Sequence, residues 1–358
     1  MIPAQVDQIT VNWLNEHLGD DIGTIVEVAI EHIGEGVGIL GEVARLTLTY
    51  ADQNAGPATL IAKCQSIHPE NVAVSQLMGF YEREINFYSK VATGLSVRTP
   101  HCHIAEMVDG GAPFVLVLEA IEGASMIDQV VGATFEESHA IARTVAALHA
   151  EYWETDALHA MTWLPPMNND LYQGAGALVA ANWAEFVDTW SNSVPPQVID
   201  WCAQLTPRYP QMLDWWTHNS PGTFTHTDCR AENYLFGGSA GNDVVTMLDF
   251  QLSTRHVGTW DIANFLGMSV TVANRRAWEH DIVTLYHDEL VAAGVVGYDF
   301  ATCWRDYRYC LLHQAWAQVA VANIDPGNER GRLLLNEFIM RSFHAAADNN
   351  SGEFLAEF

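Results

Sequence analysis

One polar stretch past the midpoint of the chain decides the fold, HTDCRAEN at residues 226–233. It is followed by the strand-like run Val244–Leu248, which ends directly in Asp249. The polar stretch leads directly into the strand-like Tyr234–Phe236. This run and Val244–Leu248 are two short strands joined as in a β-hairpin. The hairpin predicts that Asp228, Asn233 and Asp249 lie at one end of it.

These three side chains are the groups that transfer of a phosphoryl group requires. One carboxylate must accept the proton of the attacking hydroxyl, and two hard oxygen ligands must hold Mg²⁺ against the phosphates. We assign Asp228 as the base, and Asn233 and Asp249 as the metal ligands. The alternative is a polar loop in which Asp and Asn only form turns. The downstream strand that ends in Asp-Phe favours the functional interpretation.

Lysine is nearly absent from the sequence, and one of its two lysines stands inside an apolar strand. Lys63 lies in Leu60–Cys64, where an unpaired ammonium would be costly to bury. On a helix predicted over 74–92, Glu84 falls at the centre of the apolar face, whereas Arg83 falls outside it. We therefore predict a Lys63–Glu84 ion pair that directs the lysine at the α- and β-phosphates of a nucleotide. The alternative is a glutamate that reaches solvent from the edge of the face.

Glycines precede the second strand of the chain, in GEGVGILG at residues 34–41. Close approach of the backbone to phosphates favours glycine, so Gly34, Gly36 and Gly38 are predicted to cover the phosphates. A Rossmann G-x-G-x-x-G would be followed by a helix, and this run is followed by a strand. Alone it is a weak signal, since glycine-rich hairpins are common.

The secondary-structure pattern changes after the first third of the chain. Strand-type runs at 25–30, 41–50, 59–65 and 114–118 surround the predicted helix, whereas the remainder is mostly helical and has a capping box at Thr134. We predict an α+β, bilobal fold. Residues 1–119 form an N-lobe with an antiparallel sheet and one main helix. Residues 120–358 form a larger, mostly helical C-lobe. The last dozen residues are expected to fray.

The composition excludes several classes of partner. The chain has 358 residues, 49% of them hydrophobic, and a formal net charge of −28. Such acidity repels nucleic acid and anionic membranes, so neither is an expected partner. The six cysteines show no C-x-x-C pattern and indicate reduced thiols. No segment resembles a signal peptide or a membrane span. We expect a cytoplasmic protein, and its oligomeric state is not readable from the sequence.

Taken in order, these motifs resemble the aminoglycoside phosphotransferase/choline kinase-like superfamily, which has the protein-kinase-like fold. In pattern they are most similar to its ecdysteroid-kinase-like branch. The segments that carry the resemblance are Gly34–Gly41, Lys63, Arg83–Tyr88, Val117–Glu119, Leu148–Ala150, His226–Asn233, Leu248–Gln251 and Asp261–Ala263.

The resemblance implies a small-molecule kinase that uses ATP, or GTP, with Mg²⁺. It implies that the C-lobe contains the hinge, the catalytic loop and the acceptor site. The hinge, from Glu119 to Ile121, would read adenine through backbone groups, and Asp261 would brace the catalytic loop. Two positions depart from relatives. Thr227 stands where relatives usually have glycine, and Gln251 stands where protein kinases have glycine, although Gln251 fits the ecdysteroid-kinase-like pattern.

Other functions stay open at this point. A catalytically inactive nucleotide-binding module of the same fold is the main alternative. A serine hydrolase acting through Ser239, in the G-x-S-x-G run 237–241, is less favoured because residues 242–246 read as a strand, not the helix of a nucleophile elbow. The acceptor is a small-molecule alcohol: acidity favours an aminoglycoside or amino alcohol, and the tryptophans at 160–220 favour a steroid, macrolide or other hydrophobic alcohol.

Overall fold

The computed structural model shows an α+β protein, as predicted. It describes residues 1–19, 22–33, 40–52, 55–324 and 327–358. The chain divides into two compact units, Met1–Ser125 with Phe236–Leu252 and Met126–Leu235 with Ser253–Phe358. The assignment of separate functions to lobes 1–119 and 120–358 stays a prediction.

The first unit is built on an antiparallel sheet. Its strands are β1 (Ile25–Ile33), β2 (Gly41–Tyr50), β3 (Thr59–Gln65), β4 (Cys102–Met107) and β5 (Phe114–Glu119). They pair in the order β1-β2-β3-β5-β4. One face of this sheet is apolar and packs in a core cluster with Trp13 and Leu14 of helix α1 (Val11–His17). The opposite face of β3 carries Thr59, Ile61, Lys63 and Gln65.

The helix predicted over 74–92 is two helices, so that prediction was wrong in its extent. The structure has α2 (Pro69–Met78) and α3 (Phe80–Lys90). Gly79 separates them with φ of +70°, a left-handed conformation that glycine adopts without steric cost. Glu84 lies on α3, after this break.

The second unit consists mainly of helices. Among the described residues these are α4 (Phe135–Tyr152), α5 (Asp156–Ala160), α6 (Asp170–Gln173), α7 (Ala175–Trp190), α8 (Pro196–Leu205), α9 (Tyr209–Asn219), α10 (Thr259–Ser269), α11 (Val272–Ala292), α12 (Phe300–Val321) and α13 (Glu329–Asp348). The predicted capping box is present at α4, where Thr134 Oγ1 accepts the Glu137 N–H and Glu137 Oε2 accepts the Thr134 N–H. In the described ranges no helix is long and apolar enough to cross a membrane.

The remaining strands are short. They are β6 (Ala124–Met126), β7 (Gly222–Thr225), β8 (Tyr234–Gly237), β9 (Val245–Met247) and β10 (Thr254–Val257). Strands β7 and β10 pair antiparallel, with Thr225 opposite Thr254. This ladder fixes the start of the 226–233 loop within the second unit.

The C-terminus does not fray as expected. Residues Ser351–Ala356 form a 3-10 turn, and the Phe354 side chain is fully buried. Its ring stacks on Tyr309 of α12 at a centroid distance of 4.2 Å. The aromatic contact stabilises a segment whose local sequence has no helical signal.

Candidate active site

The Lys63 side chain occupies the polar face of β3 in the first unit. Alternation along the strand buries Leu60, Ala62 and Cys64 on the other face. Lys63 Nζ lies 2.8 Å from Glu84 Oε2 and 3.1 Å from Asp249 Oδ1. The predicted Lys63–Glu84 pair is thus formed, and the ammonium is shared with a second carboxylate.

Burial and charge act in opposite directions on this cluster. Burial alone lowers the pKa of Lys63, but Asp249 and Glu84 outweigh burial and raise it, so the lysine is held as an ammonium. Burial raises the pKa of Glu84, and Lys63 partly offsets that rise. Asp249 adds a second carboxylate beside the ammonium, and carboxylate oxygens are the ligands that a divalent cation such as Mg²⁺ prefers.

The segment that carries Asp249 is anchored on α3. Asp249 adopts φ of +63°, a left-handed region that few non-glycine residues occupy, although aspartate is enriched there. The following Phe250 stacks on Phe87 with an interplanar angle of 9°. Arg83 Nη1 donates to the Leu252 carbonyl at 3.2 Å. These contacts within the first unit hold the strained aspartate in place.

Arg83 is a residue that the sequence pattern missed. Its side chain is 1% exposed, although helical periodicity put it outside the apolar face of α3. Its guanidinium also donates to the main-chain carbonyls of Met78 and Gly79, just before and at the break. The buried Arg83 donates hydrogen bonds to main-chain carbonyls. The helical pattern of the sequence does not indicate this role.

In the second unit, Asn233 orients Asp228. Asn233 Nδ2 donates to Asp228 Oδ2 at 2.9 Å and to the Asp228 carbonyl at 2.8 Å. Arg230 Nε also donates to Asp228 Oδ2, at 3.3 Å. The Asp228 side chain keeps 20% of its surface exposed, so it is fixed and still open to a ligand. The side-chain amide nitrogen of Asn233 is thus committed to Asp228. The side-chain oxygen of Asn233 is the atom suited to bind a metal ion.

A buried aspartate supports the start of this loop. Asp261 is fully buried on α10 and accepts the main-chain N–H groups of His226 at 2.7 Å and Thr227 at 2.8 Å. His149 Nε2 lies 3.1 Å from the same carboxylate. The bracing contact that the resemblance implied for Asp261 is therefore present.

Thr227 has a main-chain conformation that glycine adopts without steric cost. Its φ is +70°, and a β-branched residue is strained there. The hydroxyl lies 2.8 Å from Thr254 Oγ1, and Trp260 Nε1 donates to the Thr227 carbonyl at 3.2 Å. The Thr227 hydroxyl forms a hydrogen bond that glycine, which has no side chain, could not form.

The remaining predicted site residues are placed as follows. Gly34, Gly36 and Gly38 lie outside the described residues. At the predicted hinge, the Glu119 carboxylate accepts from the His101 N–H at 3.0 Å and from Arg98. Ile121 follows β5 and is partly exposed. The placement of Asp249 relative to Asp228 and Asn233 stays a prediction.

Ser239 supports the turn that follows the hinge. Its Oγ accepts the Glu122 N–H at 3.0 Å, and its own N–H donates to the Glu122 carbonyl at 2.7 Å. Gly238 permits this approach, because a Cβ there would lie 2.4 Å from the Glu122 carbonyl oxygen. Ser239 lies in a 3-10 turn that leads to β9, so residues 237–247 do not form the strand-Ser-helix elbow of a serine hydrolase.

The candidate metal ligands agree in type with Mg²⁺. Asp249 and Asn233 offer oxygen atoms, which this ion prefers, and Mg²⁺ commonly takes one or two protein ligands with phosphates and water. Among the described residues, no cluster of three or more His, Cys, Asp or Glu side chains could hold a metal ion.

Comparison with known families identifies the chain. The model of the ecdysteroid kinase-like family matches residues 35–294, which include the ion-pair cluster, the 226–233 loop and Asp261. The chain belongs to the ecdysteroid kinase-like family. No curated protein matches it. Membership of this family makes it an enzyme of the small-molecule kinase type.

Solved structures confirm the predicted fold of this ecdysteroid kinase-like protein. A Ralstonia eutropha protein described as an aminoglycoside phosphotransferase has a TM-score of 0.57 at 16% identity, with 96% of both chains covered. Choline kinase from Cryptosporidium parvum has a TM-score of 0.54 at 10% identity, covering 97% of this chain and 94% of that one. APH(2")-IIia, solved with GDP and kanamycin, has a TM-score of 0.53 at 13% identity, covering 98% and 97%. One of these neighbours was thus solved with a bound nucleotide.

Proposed function

We propose that the protein transfers the γ-phosphoryl group of ATP, or of GTP, to a hydroxyl of a small molecule in a Mg²⁺-dependent reaction. The observation that carries this proposal is the buried cluster in which Lys63 pairs with both Glu84 and Asp249. A structural ion pair needs only one carboxylate. The second carboxylate, on a strained backbone, gives the cluster the charge and oxygen ligands that a nucleotide-bound cation requires.

On the nucleotide side, the proposed roles follow from residue chemistry. Lys63 binds the α- and β-phosphates, and Glu84 fixes the direction of its ammonium. The backbone groups of Glu119 and Ile121 read the base. Gly34, Gly36 and Gly38 cover the phosphates, where glycine permits close approach of main-chain N–H groups.

Asp249 and Asn233 would hold Mg²⁺. When bound, the ion would neutralise charge on the phosphate oxygens during transfer. The fit rests on the Asp249 carboxylate beside Lys63 and on the Asn233 amide oxygen, since the amide nitrogen is committed to Asp228. The proposal requires no further metal ligand from the protein.

Asp228 is the proposed general base. Its carboxylate takes the proton of the acceptor hydroxyl as that oxygen bonds to the γ-phosphorus, and the bond to the leaving nucleoside diphosphate breaks. A base contributes about 10²- to 10⁴-fold to such a rate. Alignment of the hydroxyl and stabilisation of phosphate charge supply most of the remainder. Asp228 is held by Asn233 and Arg230, so its oxygens are aligned before substrate binds.

The acceptor is proposed only as a class, a small-molecule alcohol. Kanamycin and choline belong to the structural neighbours and do not define the acceptor of this chain. The net charge of −28 favours an alcohol with a cationic group over a neutral one. A nucleotide-binding module without catalysis is the less favoured function, because Lys63, Asp228, Asn233 and Asp249 are all present.

A library of alcohols incubated with Mg-ATP tests the proposed function. The library should contain aminoglycosides, amino alcohols, steroids and macrolides, and each well should be scored for ADP release and for the thermal midpoint. We expect at least one alcohol to raise ADP release in the parent protein and not in Asp228→Ala. A nucleotide that raises the midpoint without any alcohol-dependent ADP release would favour the inactive module instead.

A further inference from the structure

Helix α13 reaches the 226–233 loop through a chain of alternating charges. Arg330, in the first turn of α13, donates from Nη2 to Glu232 Oε1 at 3.0 Å. Glu232 Oε2 accepts from Arg230 Nη1 at 2.7 Å. Arg230 Nε then donates to Asp228 Oδ2 at 3.3 Å. An arginine of the last long helix is thus linked to the proposed base through two intervening side chains.

A second route starts three turns further along the same helix. Arg341 is 2% exposed, and it donates to the carbonyls of Gln129 at 2.8 Å, Val130 at 2.6 Å and Met268 at 3.0 Å. Gln129 is fully buried, and its Oε1 accepts the Ala231 N–H at 2.8 Å. Ala231 stands between Asp228 and Asn233. Arg341 therefore holds the main chain of Gln129 and Val130 in place. The Gln129 side chain in turn binds Ala231 in the middle of the 226–233 loop.

The two routes converge on one short segment. Arg330 Nη1 also donates to Asp128 Oδ2 at 3.1 Å, next to Gln129. Ser269 Oγ is shared between the Gln129 amide at 2.9 Å and the Ala231 N–H at 2.9 Å. Exposed ion pairs alone contribute little, and Arg330 is half exposed. The buried Arg341 is different, because its removal leaves interior main-chain carbonyls without a donor.

We propose that Arg330 and Arg341 are positioning residues for phosphoryl transfer, which hold the catalytic loop from α13. The proposal rests on the proposed function for the role of Asp228 as base. Displacement of a catalytic group by about 1 Å can lower a rate by about 10²-fold, so loss of distant support affects turnover more than binding. Of the two residues, Arg341 should have the larger effect on turnover, because its contacts are buried.

The test compares Arg341→Met and Arg330→Met with Arg332→Met, an exposed arginine of α13 that makes no hydrogen bond to the loop among the described residues. Two quantities are measured: amide hydrogen exchange of residues 226–235, and ADP formation from Mg-ATP with the most active alcohol of the library. For Arg341→Met we expect faster exchange and a fall in kcat of about ten-fold, with KM for ATP within about two-fold. For Arg330→Met we expect the same pattern at about three-fold. Arg332→Met should match the parent protein.

Unchanged loop exchange in both variants overturns the proposal, as does faster exchange with unchanged kcat. If Arg341→Met does not fold, the pair Arg330→Met and Glu232→Gln decides. Their effects on kcat must then be less than additive, and additive effects would refute the first route. A parent protein that forms no more ADP than Asp228→Ala refutes the proposed function instead, and the exchange rates still show whether α13 holds the loop.

Discussion

Lys63 Nζ lies 2.8 Å from Glu84 Oε2, and the two side chains are only 12% and 2% exposed. A pair so little exposed adds little net stability, because desolvation offsets much of the attraction between its charges. Removal of one partner is a different matter, since it strands the other charge in the interior. The pair is therefore better explained by a requirement to hold an ammonium in one direction.

Lys63→Met should destabilise the first unit by about 3–5 kcal/mol, because Glu84 is left as a buried carboxylate without its cation. It should also abolish nucleotide binding. The double variant Lys63→Met, Glu84→Gln should regain a large part of the lost stability, since no buried charge is stranded, but it should not regain nucleotide binding. Urea unfolding and nucleotide titration measure the two effects. A double variant no more stable than the single one would contradict this account of the pair.

Asp249→Ala should remove the Mg²⁺ dependence of nucleotide binding, because a proposed metal ligand is lost. The affinity for ATP should be measured by calorimetry with and without Mg²⁺. Asp243→Ala is the matched control, since Asp243 is an exposed carboxylate of the same segment of chain. An Asp249→Ala protein whose ATP affinity still rises with Mg²⁺ as in the parent would rule out Asp249 as a ligand.

Thr227 combines a strained backbone with useful hydroxyl contacts, and two substitutions separate these effects. Thr227→Val keeps the β-branched shape at φ of +70° and loses the bond to Thr254, so it should cost about 2 kcal/mol of stability. Thr227→Gly loses the same bond but relieves backbone strain of order 1–3 kcal/mol. We expect thermal midpoints in the order parent, glycine, valine. A valine variant more stable than the glycine variant would show that the strain is not significant.

Two buried histidines of the second unit predict a loss of stability in acid. Burial lowers the pKa of His256 to about 3, and burial also lowers the pKa of His313. Both stay neutral in the folded protein below pH ~6.5, where unfolded histidine binds a proton. The unfolded state then binds more protons, so the free energy of unfolding falls as pH drops below ~6.5. For His256 the fall continues to about pH 3, at ~1.4 kcal/mol per pH unit.

The histidine prediction is tested with His256→Phe, which keeps an aromatic ring beside Trp216 and Trp260. The free energy of unfolding in urea should fall less steeply between pH 6.5 and 5 than in the parent, by the contribution of one histidine. His159→Gln, at an exposed position, should leave the slope unchanged. Equal slopes for parent and His256→Phe would mean that His256 is protonated in the folded protein.

The sequence predicted the parts of the fold that depend on local pattern. Strands 41–50 and 59–65 were placed to the residue, because alternation and a turn define both ends. The Lys63–Glu84 pair was predictable because each charge stands within an apolar pattern. The break at Gly79 was not, since an isolated glycine inside a helical pattern is often tolerated. Only the main-chain conformation shows that the helix ends there.

The polar residues that support the candidate site could not be predicted from the sequence, for a different reason. Arg341 and Gln129 are 212 residues apart in the chain, and each alone looks like an ordinary surface residue. Phe354 likewise packs on Tyr309 of another helix. Such long-range pairs leave no periodic signal. The candidate site could be assigned from its reacting groups, and its supports required the tertiary structure.

The central claim is that Asp228 is the base in transfer of a phosphoryl group to an alcohol. The most direct measurement is the rate of formation of the phosphorylated alcohol, followed by ³¹P NMR, for the parent protein, Asp228→Ala and Asp228→Asn. We predict a fall of at least about 10²-fold in kcat for both variants, with ATP affinity within about two-fold of the parent. Either variant keeping more than about a tenth of the parent rate would contradict the claim.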